Sequence, residues 1–207
     1  MRDVHFHIAE PHSLMPEADF TAPTLENAAY ILRAMATYGL EKVCVPSISL
    51  FDPVDFASNP LALYCKTLAP GRVFALGGLR YGLKREENAD LRAQAETLIA
   101  AGFDGFKMIC KPNARRTLRF PVDDPLFDDF FAFAEETGAP ILYHVGDPET
   151  FWDDRAPDWA RKSGWYYGGD EGLPSMRGMW DETERMLEKH PRLRVTFAHF
   201  LFLSEDL

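Results

Sequence analysis

Asp3-Val4-His5-Phe6-His7-Ile8 is the stretch from which the fold can be read. Apolar and polar residues alternate along it. As a strand it puts Val4, Phe6 and Ile8 on one face and Asp3, His5 and His7 on the other, because strand side chains alternate with a period of two. Two imidazoles two residues apart then point the same way, and neutral ring nitrogens so placed can chelate a divalent metal. The plainer alternative is an N-terminal strand whose histidines face solvent. His144 and His199 each close an apolar, strand-like run of their own, and they shift the balance toward a metal site.

Downstream, the sequence predicts a regular alternation of strands and helices. Helices are expected over residues 25–38 (capped by Thr24, ended by Gly39), 59–68, 86–101 (ended by Gly102), 124–137 (ended by Gly138) and 180–190. Strands are expected over 42–46, 72–76, 105–109, 140–144 and 193–199. The run Val43-Cys44-Val45 is apolar without alternation, as suits a parallel strand covered on both faces. Strand centres fall near residues 5, 44, 75, 107, 142 and 196. The spacing is regular except for the last interval, which holds an insertion over about 147–178 rich in Trp, Tyr and Gly. We read this segment as a lid over the strand ends, with an edge subdomain or a partner-binding surface as the alternative. The whole is read as one domain, since such alternation implies a parallel sheet with right-handed crossovers.

Composition narrows the function. The 207 residues are 46% hydrophobic, enough for a sizeable core, and the net charge of −10 without a basic run argues against a nucleic-acid surface. Cys44, Cys65 and Cys110 are odd in number and widely spaced, so free buried thiols in a reducing cytoplasmic setting are expected. No basic-then-apolar leader and no apolar run near membrane-spanning length is seen, so neither secretion nor a membrane span is expected.

His5, His7, Lys107, His144 and His199 all fall at or just past the carboxyl ends of separate strands, where parallel α/β folds bind their ligands. They converge only if the sheet curls toward a barrel. No Gly-x-Gly-x-x-Gly follows the first strand, which removes the main dinucleotide signal. His12 reads as an exposed loop residue, and His190, at a helix end, as a solvated histidine near the negative pole of the helix.

These pieces together resemble the amidohydrolase superfamily of metal-dependent (β/α)8 TIM-barrel enzymes, in particular its aminocarboxymuconate-semialdehyde decarboxylase-like branch and related lactonases. The matching segments are Asp3 to His7, Gly105-Phe106-Lys107, Ile141 to His144, and His190-Pro191 through Val195 to Ala198-His199. The resemblance implies that His5, His7 and His144 bind the metal, that His199 is an acid/base or electrostatic group beside its water, and that Lys107 binds substrate. A structural ion pair is the alternative for Lys107. The implied cofactor is a divalent metal, zinc foremost and manganese next, whose activated water would open a lactone, hydrolyse an amide or ester, or serve a non-oxidative decarboxylation. Arg115, with Arg116 and Arg119, could hold a substrate carboxylate or be surface charge. Trp152 of the insertion joins Lys107 and Arg115 as an expected substrate-binding residue.

Only about six βα units are found, and no residue can be assigned the role of the strand-eight Asp expected in the family; Asp147 and Asp170 are possible substitute ligands. A fragment of a longer protein, a short form completed by a partner or second copy, and a metal held by three histidines all remain open. The expected partners are a small-molecule substrate and, through open sheet edges, a second copy in a homo-oligomer. The alternative to an enzyme is a catalytically incompetent barrel fragment acting as a binding or assembly module. A sugar-type barrel enzyme with a Schiff-base Lys107 would leave His5 and His7 unexplained.

Overall fold

The computed structural model describes residues 1–6, 25–47, 59–82, 84–88, 90–110, 112–115, 119–170 and 172–202. Six parallel strands lie in the order in which they occur in the chain. They are β1 (Arg2–Asp3), β2 (Lys42–Pro46), β3 (Val73–Gly78), β4 (Gly105–Ile109), β5 (Ile141–His144) and β6 (Val195–Phe197). Helices fill the connections: α1 (Leu25–Thr37), α2 (Asn59–Leu68), α3 (Leu91–Ala101), α4 (Pro112–Arg115), α5 (Asp128–Thr137), α6 (Asp158–Lys162) and α7 (Met176–Lys189). Six consecutive strands curled with helices outside them form the larger part of a TIM barrel, as the convergence of polar residues and the family resemblance implied.

Alternation within each strand divides the chain into an outer apolar layer and an inner face. Val43, Val45, Val73 and Ala75 pack outward on Ile31, Met35, Leu61 and Cys65 of α1 and α2. Phe106, Met108, Ile141 and Tyr143 pack outward on Phe130, Phe131, Met179 and Met186 of α5 and α7. Each fully buried side chain of this size contributes about 1.5–3 kcal/mol relative to exposure, so the outer layer carries most of the stability. Among the described residues the inner face carries a small apolar cluster of Leu76, Leu142 and Ala198, with Cys44 against it. The same alternation puts Lys107 and His144 on this face, beside the apolar Phe74 and Ile109.

Local signals account for most boundaries. The Asp124 side chain accepts from the Leu126 N–H (2.8 Å) and takes two hydrogen bonds from Arg85 (2.7 and 2.6 Å), which hold its carboxyl below the usual range. Gly138 ends α5 in the left-handed region (φ 67°), as glycine does at a helix end. α7 begins four residues before the expected start, because the Ser175 hydroxyl caps it by accepting from the Gly178 N–H (3.1 Å).

Elsewhere the structure corrects the sequence reading. The expected helix over 86–101 is a short 3-10 turn, Arg85–Asn88, followed by α3. The buried Asn88 side chain binds Gly82 N–H, Gly82 O and Lys84 O (2.9, 3.1 and 2.6 Å), pinning a loop where helix was expected. β1 is also shorter than the alternation implied. The Asp3 carboxylate takes the His5 N–H (2.8 Å), a local bond that competes with the ladder, and Val4 is left 54% exposed. Phe6 rejoins the sheet through its N–H to Cys44 O (3.1 Å) and packs on Tyr30.

His190 is not solvated. It is only 7% exposed, its ring rests on Phe131, and its nitrogens lie 3.5 Å from Asp128 and 3.7 Å from Glu135. Helix α5, with two carboxylates on the side facing α7, turns a helix-end residue into an interior one. The three cysteines are free, and burial pushes the Cys65 and Cys110 thiols up to about 12.

Gly105 shows how tightly β4 and β5 meet. A Cβ on Gly105 would collide with the Pro140 carbonyl oxygen, a backbone atom that cannot swing aside. Gly105→Ala is therefore expected to destabilise the fold by about 1–3 kcal/mol, read as a lower midpoint in urea unfolding at unchanged slope.

Candidate active site

The curl of the sheet is visible in a single contact. β1 and β6 are its two ends, and a flat sheet would hold them about 24 Å apart at about 4.8 Å per strand. Yet the rings of His5, just past β1, and His199, just past β6, have centroids 5.0 Å apart. His144, the last residue of β5, meets the other side of His199 at 4.9 Å. Lys107, central in β4, turns inward and places Nζ 3.2 Å from His5 Nε2. Four side chains from β4, β5 and the ends of β1 and β6 thus converge on the inner face at the carboxyl side of the sheet.

The environment of each is distinct. Lys107 is 3% exposed, and a lysine that buried requires polar company. An ammonium has donors only, so it directs a proton at the lone pair of His5 Nε2. His144 is largely buried and has Asp147 beside it, with Nε2 3.7 Å from Oδ1. Asp147 is 2% exposed and accepts from the Tyr167 hydroxyl at 2.5 Å. His199 is exposed and sits at φ 54°, in the left-handed region, within the 3-10 turn Ala198–Phe202. A non-glycine residue held there costs about 1–2 kcal/mol, and such strain gathers at functional positions.

The expected site residues divide accordingly. His5, Lys107, His144 and His199 are brought together. His7 lies outside the described residues, as do His12 and Arg116. Arg115 pairs with Glu182 of α7 at 2.5 Å, both largely buried, and lines a separate cavity of ≈ 370 Å³ with Arg119, Asp170, Gly172 and Leu173. None of the four converging side chains lines it. Trp152 donates its Nε1–H to Pro174 O (3.2 Å) and stacks near Tyr167 (4.9 Å). It belongs to a small aromatic core of Phe151, Ala160 and Tyr167, with Trp165 and Leu173 around it, that organises the insertion. Sequence reasoning weighed Asp147 only as a substitute ligand and missed Tyr167. The four-residue span from His144 to Asp147 was a readable signal for the first; nothing marks one tyrosine among several for the second.

Among the described residues, no three His, Cys, Asp or Glu side chains group closely enough to hold a metal by themselves. The donors that do converge nevertheless suit one. Imidazole nitrogens are ligands for Zn²⁺ and related ions; at His5 Nε2 an ion would compete with the Lys107 ammonium for the lone pair.

The amidohydrolase family model matches residues 3–203, and the chain belongs to that family. No curated protein matches it. Among solved structures it is similar to 4-oxalomesaconate hydratase from Rhodopseudomonas palustris (14% identity, TM-score 0.61, covering 97% of this chain and 63% of that one). It is similar also to 5-carboxyvanillate decarboxylase from Novosphingobium aromaticivorans, a structure with bound manganese (14% identity, TM-score 0.57, covering 97% of this chain and 65% of that one). A third is an uncharacterized TIM-barrel protein from Bordetella bronchiseptica (18% identity, TM-score 0.55, covering 97% of this chain and 68% of that one). At these identities the likeness concerns the fold. The chain spans about two thirds of the length of these structures. Among the described residues no helix is long and apolar enough to cross a membrane.

The strain at His199 gives a direct test. Glycine relieves the left-handed backbone but removes the imidazole. His199→Gly is expected to raise stability by up to about 1 kcal/mol in denaturant unfolding while abolishing any turnover. A loss of stability instead would mean that the ring contacts of His199 outweigh its backbone strain.

Proposed function

We propose that this chain carries the metal-binding and proton-transfer side of a metal-dependent hydrolase or non-oxidative decarboxylase acting on a small carboxylate-bearing substrate. The observation that carries this reading is the meeting of His5, His144 and His199, at or past the ends of their strands, with Lys107 from the middle of β4. His5 and His144, with His7, would hold the ion. Bound there, a divalent metal lowers the pKa of water and polarises a carbonyl or carboxylate oxygen; zinc and manganese both remain candidates.

The chain's own groups would do the rest. His199, exposed and turned toward both His5 and His144, would exchange a proton with the reacting atoms. Lys107, buried at the base of the group, would neutralise negative charge on the substrate. The cavity beside Arg115 and Arg119 would take a substrate carboxylate. Arg119 would lead there, since Glu182 already holds Arg115. Trp152 would contribute the face of its ring, its N–H being taken by Pro174 O.

A second reading is a binding or assembly module. It is favoured by β1 and β6, each of which pairs with one strand only among the described residues, and by the exposure of Thr196 in the middle of β6. Association of copies through these edges is the expectation under it.

Elemental analysis of protein purified without chelator separates the two. About one metal per chain, lost in His5→Ala/His7→Ala, is the outcome expected for the enzyme. Metal-free protein after supplementation with Zn²⁺ and Mn²⁺, self-associating in sedimentation, would overturn it in favour of the module.

A further inference from the structure

Asp147 is the most demanding residue outside the converging group. Asp147 is 2% exposed, and a buried charge is strongly disfavoured unless its surroundings compensate it. The Tyr167 hydroxyl donates to Oδ2 at 2.5 Å, and His144 Nε2 lies 3.7 Å from Oδ1. The second distance is in ion-pair rather than hydrogen-bond range, so the carboxylate acts on the ring through its field and needs to close by only a few tenths of an ångström to accept a proton from it.

A carboxylate beside Nε2 favours the tautomer with hydrogen on that nitrogen. The lone pair then falls on Nδ1, the other ring nitrogen, which is the one that would face a metal. Carboxylates that hold a histidine in this way fix its ring and raise its basicity as a metal ligand.

Tyr167 does not belong to the barrel. It is a buried member of the insertion's own core, packed on Phe151 and Trp152, and its N–H donates to Phe151 O at 2.9 Å. The chain of contacts therefore runs from the aromatic core of the insertion through Tyr167 and Asp147 to His144. Gly146, between His144 and Asp147, lies against the thioether end of Met176, which a side chain there would have to displace.

We propose that Asp147 is a positioning residue that sets the tautomer and orientation of His144, and that Tyr167 makes this depend on the folding of the insertion. The segment after β5 would then serve as a support for the metal site. This rests on the reading of His144 as a metal ligand, and the test separates failure of the two.

The test uses Asp147→Asn and Tyr167→Phe in the full chain. Zn²⁺ affinity is measured by competition with a chromophoric chelator, and the His144 tautomer by long-range ¹H–¹⁵N NMR on ¹⁵N-labelled protein, assigned with His144→Gln. The expected wild-type ring is protonated on Nε2. Asp147→Asn is expected to lose that preference and to bind Zn²⁺ about 10–100-fold more weakly. Tyr167→Phe, which keeps the carboxylate and loses one hydrogen bond, is expected to weaken Zn²⁺ several-fold, with unchanged far-ultraviolet circular dichroism and altered tryptophan fluorescence from the insertion.

Wild-type tautomer and Zn²⁺ affinity in both variants would overturn the proposal. Should Asp147→Asn not fold, Tyr167→Phe decides alone: undiminished affinity overturns the proposal, and a several-fold loss supports it. Wild type that binds no Zn²⁺ defeats the metal reading, yet the tautomer still reports on Asp147: its change in Asp147→Asn supports the positioning role, and its persistence overturns that role.

Discussion

A curled parallel sheet with two chemically different faces is the constraint on which the rest of this molecule depends. Parallel strands covered by helices must be apolar on the outer face, and Val43, Val73, Phe106, Ile141 and Tyr143 meet that demand. Curling brings the inner faces of distant strands together, so that residues 5 and 199 touch. On that inner face a lysine and three histidines meet beside the small apolar cluster of Leu76, Leu142 and Ala198.

That arrangement places stability and chemistry in separate layers. The aromatic packing of α5 and α7 against β4 and β5 is remote from His144, although Tyr143, one residue earlier, belongs to it. Period-two alternation lets neighbouring residues serve opposite purposes. Strain is confined likewise: His199 takes its left-handed backbone just past the last strand, where a short turn can hold it without disturbing the ladder.

The insertion between β5 and α7 belongs to both layers. Its aromatic core is its own, while its buried hydroxyl reaches the carboxylate beside His144. By contrast, Arg115 is bound to Glu182 on α7 and lines a cavity of its own, so a substrate reaching both arginines and the histidines would have to span two separate regions.

Much of this was legible in the sequence, because period and punctuation are local. The extents of β2, α2 and β4 follow from apolar runs and from Asn-Pro and Gly stops; His5, His144 and His199 were expected at strand ends, and Lys107, expected there too, lies in the middle of β4. Other features were decided only by tertiary structure. The Asp3 carboxylate shortened β1 by taking a backbone N–H, and Asn88 replaced a helical turn by binding three backbone groups. Packing of α5 against α7 buried His190 between two carboxylates. Pairings such as Arg115 with Glu182 and Tyr167 with Asp147 join residues 67 and 20 positions apart, and no local pattern specifies them. The sequence by itself determined which residues could face the interior, since alternation is a property of the backbone; only the closed geometry decided which of them would meet.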